Sequence, residues 1–256
     1  MLKILEPIWA VKPETASRLR GRVENILDWA RARGYRSAEN PARWKGHLNQ
    51  LLPSLAKKDR VVHHQAMPFA EVGELVCKLH NMATVAARCL EFTILTAART
   101  NEVIKAVPEE FDLVNATWTI PASRMKAKRE HRVPLSPRAV EIVREMLARN
   151  GIYVFPGAQP GKPLSNMTML YVLERMHIDV TVHGFRSSFR DWAAERTAFS
   201  HEVCEMALAH TISNAAEAAY RRGDLFEKRR KLMDSWAEFV STPHIDGAVI
   251  PLKVAA

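Results

Sequence analysis

At 256 residues with 47% hydrophobic side chains, the chain can bury one substantial core, or one core and part of another. Its 37 Lys+Arg against 28 Asp+Glu leave a formal charge of +9, which points to an acidic polymer or surface as partner. Three scattered cysteines (Cys77, Cys89, Cys204), no CxxC or HExxH, no apolar run of about 18 residues and no opening signal peptide argue against a disulfide framework, a zinc motif, a membrane span and secretion. A reducing, cytoplasmic setting is expected.

Residues 2–12 read as an irregular, apolar lead-in around Pro7 and Trp9. Pro13 then opens a helix to about Arg33, closed by Gly34, with Leu19, Val23, Ile26, Leu27 and Ala30 as its buried stripe. Arg18, Arg20, Arg22, Arg31, Arg33 and Arg36 make this the first of three basic clusters. Asn40-Pro41 marks a turn, and a shorter helix with Trp44, Leu48, Leu51 and Leu52 on one side should follow. Together residues 1–52 form part of a helical domain. The polar, aperiodic segment 53–66 is a linker, in which His63 and His64 lack a third metal ligand nearby.

Beyond the linker, Pro68 begins a helix to about Leu79 with Phe69, Val72, Leu75, Val76 and Leu79 facing a core. An Ala-rich, largely apolar helix over about 84–97 suits the centre of a bundle, and Arg99 sits just past its end with Glu102 three residues on. This pair reads equally as a structural surface pair. Thr117–Pro121 and His131–Leu135 have strand character and flank a basic turn, the second cluster (Arg124, Lys126, Lys128, Arg129, Arg132). Such a hairpin tip is a solvated turn or a means of delivering an ammonium, that of Lys126, into a groove. Amphipathic helices follow over 137–149 and 166–176, separated by a Gly/Pro-rich connection. The stretch from His183 to Tyr220 is helix-forming with a break at Thr197–Ser200, and a last helix over 225–241 carries a packing face. Arg221 and Arg222 with residues 228–231 complete the third basic cluster, and 242–256 is an aperiodic tail. The fold class expected is mainly α with a small β hairpin or sheet, that is, α+β.

His183 and Arg186, three residues apart, share one helical face, and His210 and Tyr220 follow at the end of one periodic segment and within the next. Two imidazoles, a guanidinium and a phenol are the groups wanted around a phosphate under attack. With Arg99 and Lys126 before them, the ordered motifs LTAARTNEV, WTIPASRMKAKREHRVPLS, VTVHGFRSSFRDWAAE, ALAH and EAAYRRGDLFEKRR resemble those of the tyrosine recombinases of the phage integrase family, in particular prophage and genomic-island integrases. The likeness covers about residues 67–241, and 13–52 resembles the end of the family's helical core-binding domain, whose first half and preceding arm domain are expected to be missing.

The resemblance implies a DNA-cleaving catalytic domain over 67–241, a partial DNA clamp over 1–52, and site-specific recombination through a 3′-phosphotyrosyl intermediate. It assigns Tyr220 as nucleophile, His183 as general base, Arg99 and Arg186 as clamps on the non-bridging oxygens, His210 as a further donor there, and Lys126 as acid for the leaving 5′-oxygen. It implies no cofactor and no metal. Its implied partners are double-stranded attachment-site DNA, three further copies in a tetramer, and an excisionase-type accessory protein. Three alternatives stay open at this stage: a shortened, inactive remnant that only binds DNA, a DNA-relaxing enzyme of the type IB topoisomerase kind, and a plain basic helical binding module.

Overall fold

The computed structural model describes residues 1–54, 65–210 and 223–242. Two compact units divide the chain, Met1–His63 and His64–Ala256.

In the first unit, helix α1 (Leu2–Trp9) replaces the irregular lead-in expected from sequence. Leu5 and Trp9, four residues apart, face inward together, and Pro7 lies on the exposed side between them. They pack with Ala16, Leu48 and Leu52, and Trp9 stacks on Trp44 with ring centroids 5.4 Å apart. Helix α2 (Pro13–Ala32) begins at its proline as expected, and Gly34 at φ +73° follows its end. Its expected stripe is not buried: Ala16 alone is fully enclosed, Leu19, Val23, Leu27 and Ala30 are half-buried, and Ile26 is 64% exposed. The shorter helix is also absent, leaving one 3₁₀ turn, Leu48–Gln50. Polar capture explains it. Asn40 holds its own turn through Ala42 N and reaches Glu24 O and Asp28, Glu24 takes Trp44 N, and Gly46 sits at φ +77°. Side-chain bonds to the backbone thereby displace a helical ladder.

The second unit holds helices α3 (Phe69–His80), α4 (Val85–Thr96) and α5 (Thr100–Ile104), then an antiparallel sheet. Its strands β1 (Phe111–Asp112), β2 (Thr117–Ile120) and β3 (His131–Pro134) lie in that order, with Trp118 opposite Phe111 on one side and Val133 on the other. The hairpin was expected; the two-residue β1 was too short to show periodicity. Helices α6 (Pro137–Leu147), α7 (Thr168–Arg175), α8 (Gly184–Arg196), α9 (His201–Ala207) and α10 (Phe226–Ser241) follow. Hydroxyl caps set three of the starts: Thr84 for α4, Ser136 for α6 and Ser200 for α9.

Helix α4 is the axis of this unit, buried at every position from Cys89 to Thr96. Burial pushes the Cys89 thiol well above its usual range, so it stays protonated. Trp236 of α10 donates to Ile94 O at 2.9 Å and meets Phe189, Trp192 and Phe239. On the other side Phe92 packs against Phe111, Trp118 and Phe155. The one charge on α4's buried side, Glu91, is met by Arg138 and Arg88. No helix among the described residues is long and apolar enough to cross a membrane.

Candidate active site

Two arginines anchor the site. Helix α4 ends at Ala97, a left-handed residue (φ 48°), which turns the chain so that Arg99 caps α5. The Glu102 carboxylate accepts from the Arg99 backbone N–H at 3.0 Å and from its Nη1 at 2.8 Å, fixing the guanidinium against the helix start. Glu102 is thus an orienting residue, and the pair, which the sequence left open as a surface pair, belongs to the site. Arg186, on the first turn of α8, is 5% exposed. It donates through Nη1 to Ala97 O and through Nη2 to Leu208 O at 2.7 Å. Burial, and then the neighbouring Arg99 charge, lower its pKa to about 10, so it stays protonated at neutral pH. Gly184, at the start of the same helix, lets the 65–66 backbone pack against it, since a Cβ there would lie 2.2 Å from Gln65 O.

The turn after α9 faces both guanidiniums. Ala209 is again left-handed (φ 49°), and its carbonyl accepts from Arg99 Nη2 at 3.2 Å. Both arginines therefore donate to the turn before His210, Arg186 at Leu208 O and Arg99 at Ala209 O, and Arg186 donates as well to Ala97 O in the turn that precedes Arg99. His210 places Nε2 3.2 Å from Arg186 Nη2 and Nδ1 2.7 Å from Glu205 Oε2, while Arg190 Nε donates to Glu205 Oε1 at 2.7 Å. Burial pushes the Glu205 carboxyl up, but the bonds from His210 and Arg190 outweigh it and hold the group below the usual carboxylate value.

Lys126 lies in the connection between β2 and β3. Arg124, bound to Glu110 and to Glu102 O, ties the start of this connection to α5, whereas Lys126 itself is exposed. Arg99, Lys126, His183, Arg186 and His210 line one cavity of about 690 Å³, together with Arg129 and Glu205. Five of the six residues expected from sequence are thus brought together. The sixth, Tyr220, lies outside the described residues, as do His63 and His64. His183 caps α8 and also borders an adjoining cavity with Arg99 and Lys126.

Three residues of the site were not singled out from sequence. Glu205 and Arg190 are polar positions on amphipathic helices, and His131 sits in a strand. The His131 ring donates to Ala207 O, and burial, then Arg229, with Arg99 and Arg186 contributing, lowers its pKa to about 3. Only Glu205 had a legible signal, its position five residues before His210. Fixed cations and imidazoles around one cavity can hold a phosphodiester and stabilise charge gathering on its oxygens.

Residues 1–47 match the model of the phage integrase central domain, and residues 65–224 match that of the phage integrase family. Prophage integrase IntA of Escherichia coli (strain K12) is 31% identical over 253 residues, covering 94% of this chain and 58% of its own length. Prophage integrase IntZ of the same strain is 31% identical over 247 residues, covering 94% and 59%. The chain thus spans a little under three fifths of the length of these curated relatives. A lambda integrase solved as a tetramer bound to a Holliday junction superposes with a TM-score of 0.60 at 12% identity, over 83% of this chain and 63% of that one. An integrase from mycobacterium phage Brujita gives 0.51 at 19%, over 90% and 77%. With the family model matched over most of its second unit and well over half its length, the chain belongs to the phage integrase family, and its α+β fold is that of the tyrosine recombinases.

Proposed function

We propose that this chain cuts and rejoins double-stranded DNA at specific sites through a covalent 3′-phosphotyrosyl intermediate. The observation that carries this reading is the meeting of Arg99, Arg186, His183, His210 and Lys126 at one cavity. Tyr220 is the nucleophile. A free phenol with a pKa near ~10 is almost wholly protonated at neutral pH, so His183 takes its proton as the oxygen attacks phosphorus. Arg99 and Arg186 hold the two non-bridging oxygens, and their carbonyl partners have already oriented them, so little reorganisation is needed as charge develops. His210 adds a donor on the same oxygens. The bond from phosphorus to the 5′-oxygen breaks as Lys126 Nζ protonates that oxygen. Reversal of these steps with a 5′-hydroxyl from another strand rejoins the DNA, and the phosphotyrosyl bond conserves the energy.

On this reading 67–241 is the catalytic domain, and 1–52 clamps DNA with its arginines, joined by 53–66. Four copies act on two attachment sites, the tail 242–256 links neighbouring subunits, and an excisionase-type protein sets direction. The lambda relative solved as a tetramer on a Holliday junction supports the assembly by analogy. A genomic DNA substrate places the protein in the cytoplasm. The test is a duplex nicked beside the scissile phosphate, which traps the intermediate. A covalent protein–DNA adduct, lost in Tyr220→Phe, is the expected result. No adduct at high protein concentration sinks the reading, and supercoil relaxation without site preference would replace it with a topoisomerase.

A further inference from the structure

The cavity contains an oddity for a phosphate site. Among the described side chains lining it, Glu205 is the one carboxylate, beside the fixed cations Arg99, Lys126, Arg129 and Arg186. An unengaged carboxylate there would repel the substrate. Glu205 is engaged on both oxygens: Oε2 meets His210 Nδ1 at 2.7 Å, and Oε1 takes Arg190 Nε at 2.7 Å. Its backbone carbonyl also accepts from His210 N at 3.0 Å. Arg190 lies one helical turn beyond Arg186, so a single face of α8 presents both arginines.

The chemistry of the partners fixes the ring. A carboxylate only accepts, so Nδ1 must carry the proton; a guanidinium only donates, so Nε2 at 3.2 Å from Arg186 must accept. We propose that Glu205 is a positioning residue for strand cleavage: it holds the His210 ring with Nδ1 engaged and Nε2 offered to the scissile phosphate, and Arg190 holds Glu205 in turn. The proposal rests on the recombinase reading of His210. When a phosphate oxygen takes over the Arg186 N–H, Nε2 becomes a donor to that oxygen only by carrying a second proton. Arg99, Arg186, Lys126 and Arg129 all oppose that added charge. His183 and His131 flank the same arginines, and His201 Nε2 stands 3.8 Å from the outer oxygen of Glu205. Glu205 is the counter-charge beside the His210 ring and fixes its tautomer and orientation, which accounts for a carboxylate in a site otherwise built for anions.

The decisive variant is Glu205→Gln, which keeps size and an acceptor oxygen and removes the charge. In single-turnover assays on the nicked duplex, E205Q should bind DNA within about twofold of wild type and form adduct ~10–100-fold more slowly. In a His210→Ala background the same change should cost nothing further, because its effect passes through that ring. Ring ¹⁵N shifts of His210 in the DNA-free protein should show Nδ1 protonated. Arg190→Gln, expected to slow the step a few-fold, reads the same chain from its far end should E205Q fail to fold. E205Q reacting at the wild-type rate, an equal loss in the His210→Ala background, or an unprotonated Nδ1 each overturn the role of Glu205 alone. Absence of adduct from the wild-type chain defeats the strand-cleavage reading, and this role with it.

Discussion

The two sides of the cavity are held in opposite ways. On one side the guanidiniums are locked by the backbone: Arg186 by Ala97 O and Leu208 O, Arg99 by Ala209 O and Glu102. On the other, Lys126 is exposed on a connection anchored at its start by Arg124 and by the buried Met125, and it makes no hydrogen bond or ion pair with the described residues. Charge that must stand ready where an oxyanion develops gains from being fixed, since nothing has to reorganise as the reaction proceeds. A proton delivered to a leaving group needs reach, and a side chain locked by carbonyls cannot supply it. The contrast therefore predicts that stability and catalysis are coupled on the arginine side and separable on the lysine side.

The largest effect should come from Arg186→Ala. Losing a clamp on the phosphate should slow adduct formation by about 10³-fold. The same change strands two buried carbonyls and opens a cavity, so urea unfolding should show a loss of about 2–4 kcal/mol. Lys126→Ala comes next: adduct formation about 10²-fold slower, with unfolding free energy within about 0.5 kcal/mol of wild type. A Lys126 variant as unstable as the Arg186 one would abolish the distinction between the two sides.

How much of this could be read from the sequence follows the same division between buried order and local polar capture. In the second unit, apolar period located α3, α4 and α6 to α10 closely, because each buries a strong stripe against α4 or its neighbours, whereas the five-residue α5 after Arg99 is too short to show one. In the first unit the same rule misjudged α2, whose apolar stripe finds little to pack against within that unit, and it missed α1, whose Pro7 disguised a Leu5–Trp9 repeat. The supposed helix after Pro41 yielded to hydrogen bonds from Asn40 and Glu24 that no periodicity reveals. Within the site, order along the chain and motif resemblance named the residues that touch the cavity. Of the residues that orient them, Glu102 and Glu205 lie three and five positions from the groups they hold, whereas Arg190 and His131 stayed hidden because they act from other elements.

His131 gives the third test. Its pKa in the folded chain, about 3, lies below the ordinary histidine value, so the unfolded chain binds the extra proton first as pH falls. Stability from this group is therefore fully present above about pH 6.5 and is lost progressively as pH falls from there toward 3. Between pH 6.5 and 5 the loss should reach up to about 2 kcal/mol. His131→Gln, which can still donate to Ala207 O, should remove this component, so that wild type and variant converge on acidification. Parallel unfolding curves at pH 7 and pH 5 would show instead that His131 leaves the arginine side no more pH-sensitive than the lysine side.

The smallest effect separates two ways in which the arginine side could be held. Ala97 and Ala209 both sit in the left-handed region and both turn a carbonyl toward an arginine. If strained backbone held those carbonyls in place, Ala209→Gly would relax the turn, loosen His210 and slow the reaction. If the arginines hold them, glycine changes little, because the left-handed penalty of about 1 kcal/mol that it removes is offset by about 0.4–1 kcal/mol of added freedom in the unfolded chain. The hydrogen bonds favour the second case, since each carbonyl has its own guanidinium donor whichever side chain follows. Ala209→Gly should then lie within about 0.5 kcal/mol of wild type, with an adduct rate within about threefold. A tenfold slower Ala209→Gly at unchanged stability would mean that the turn positions the arginines, rather than the arginines the turn.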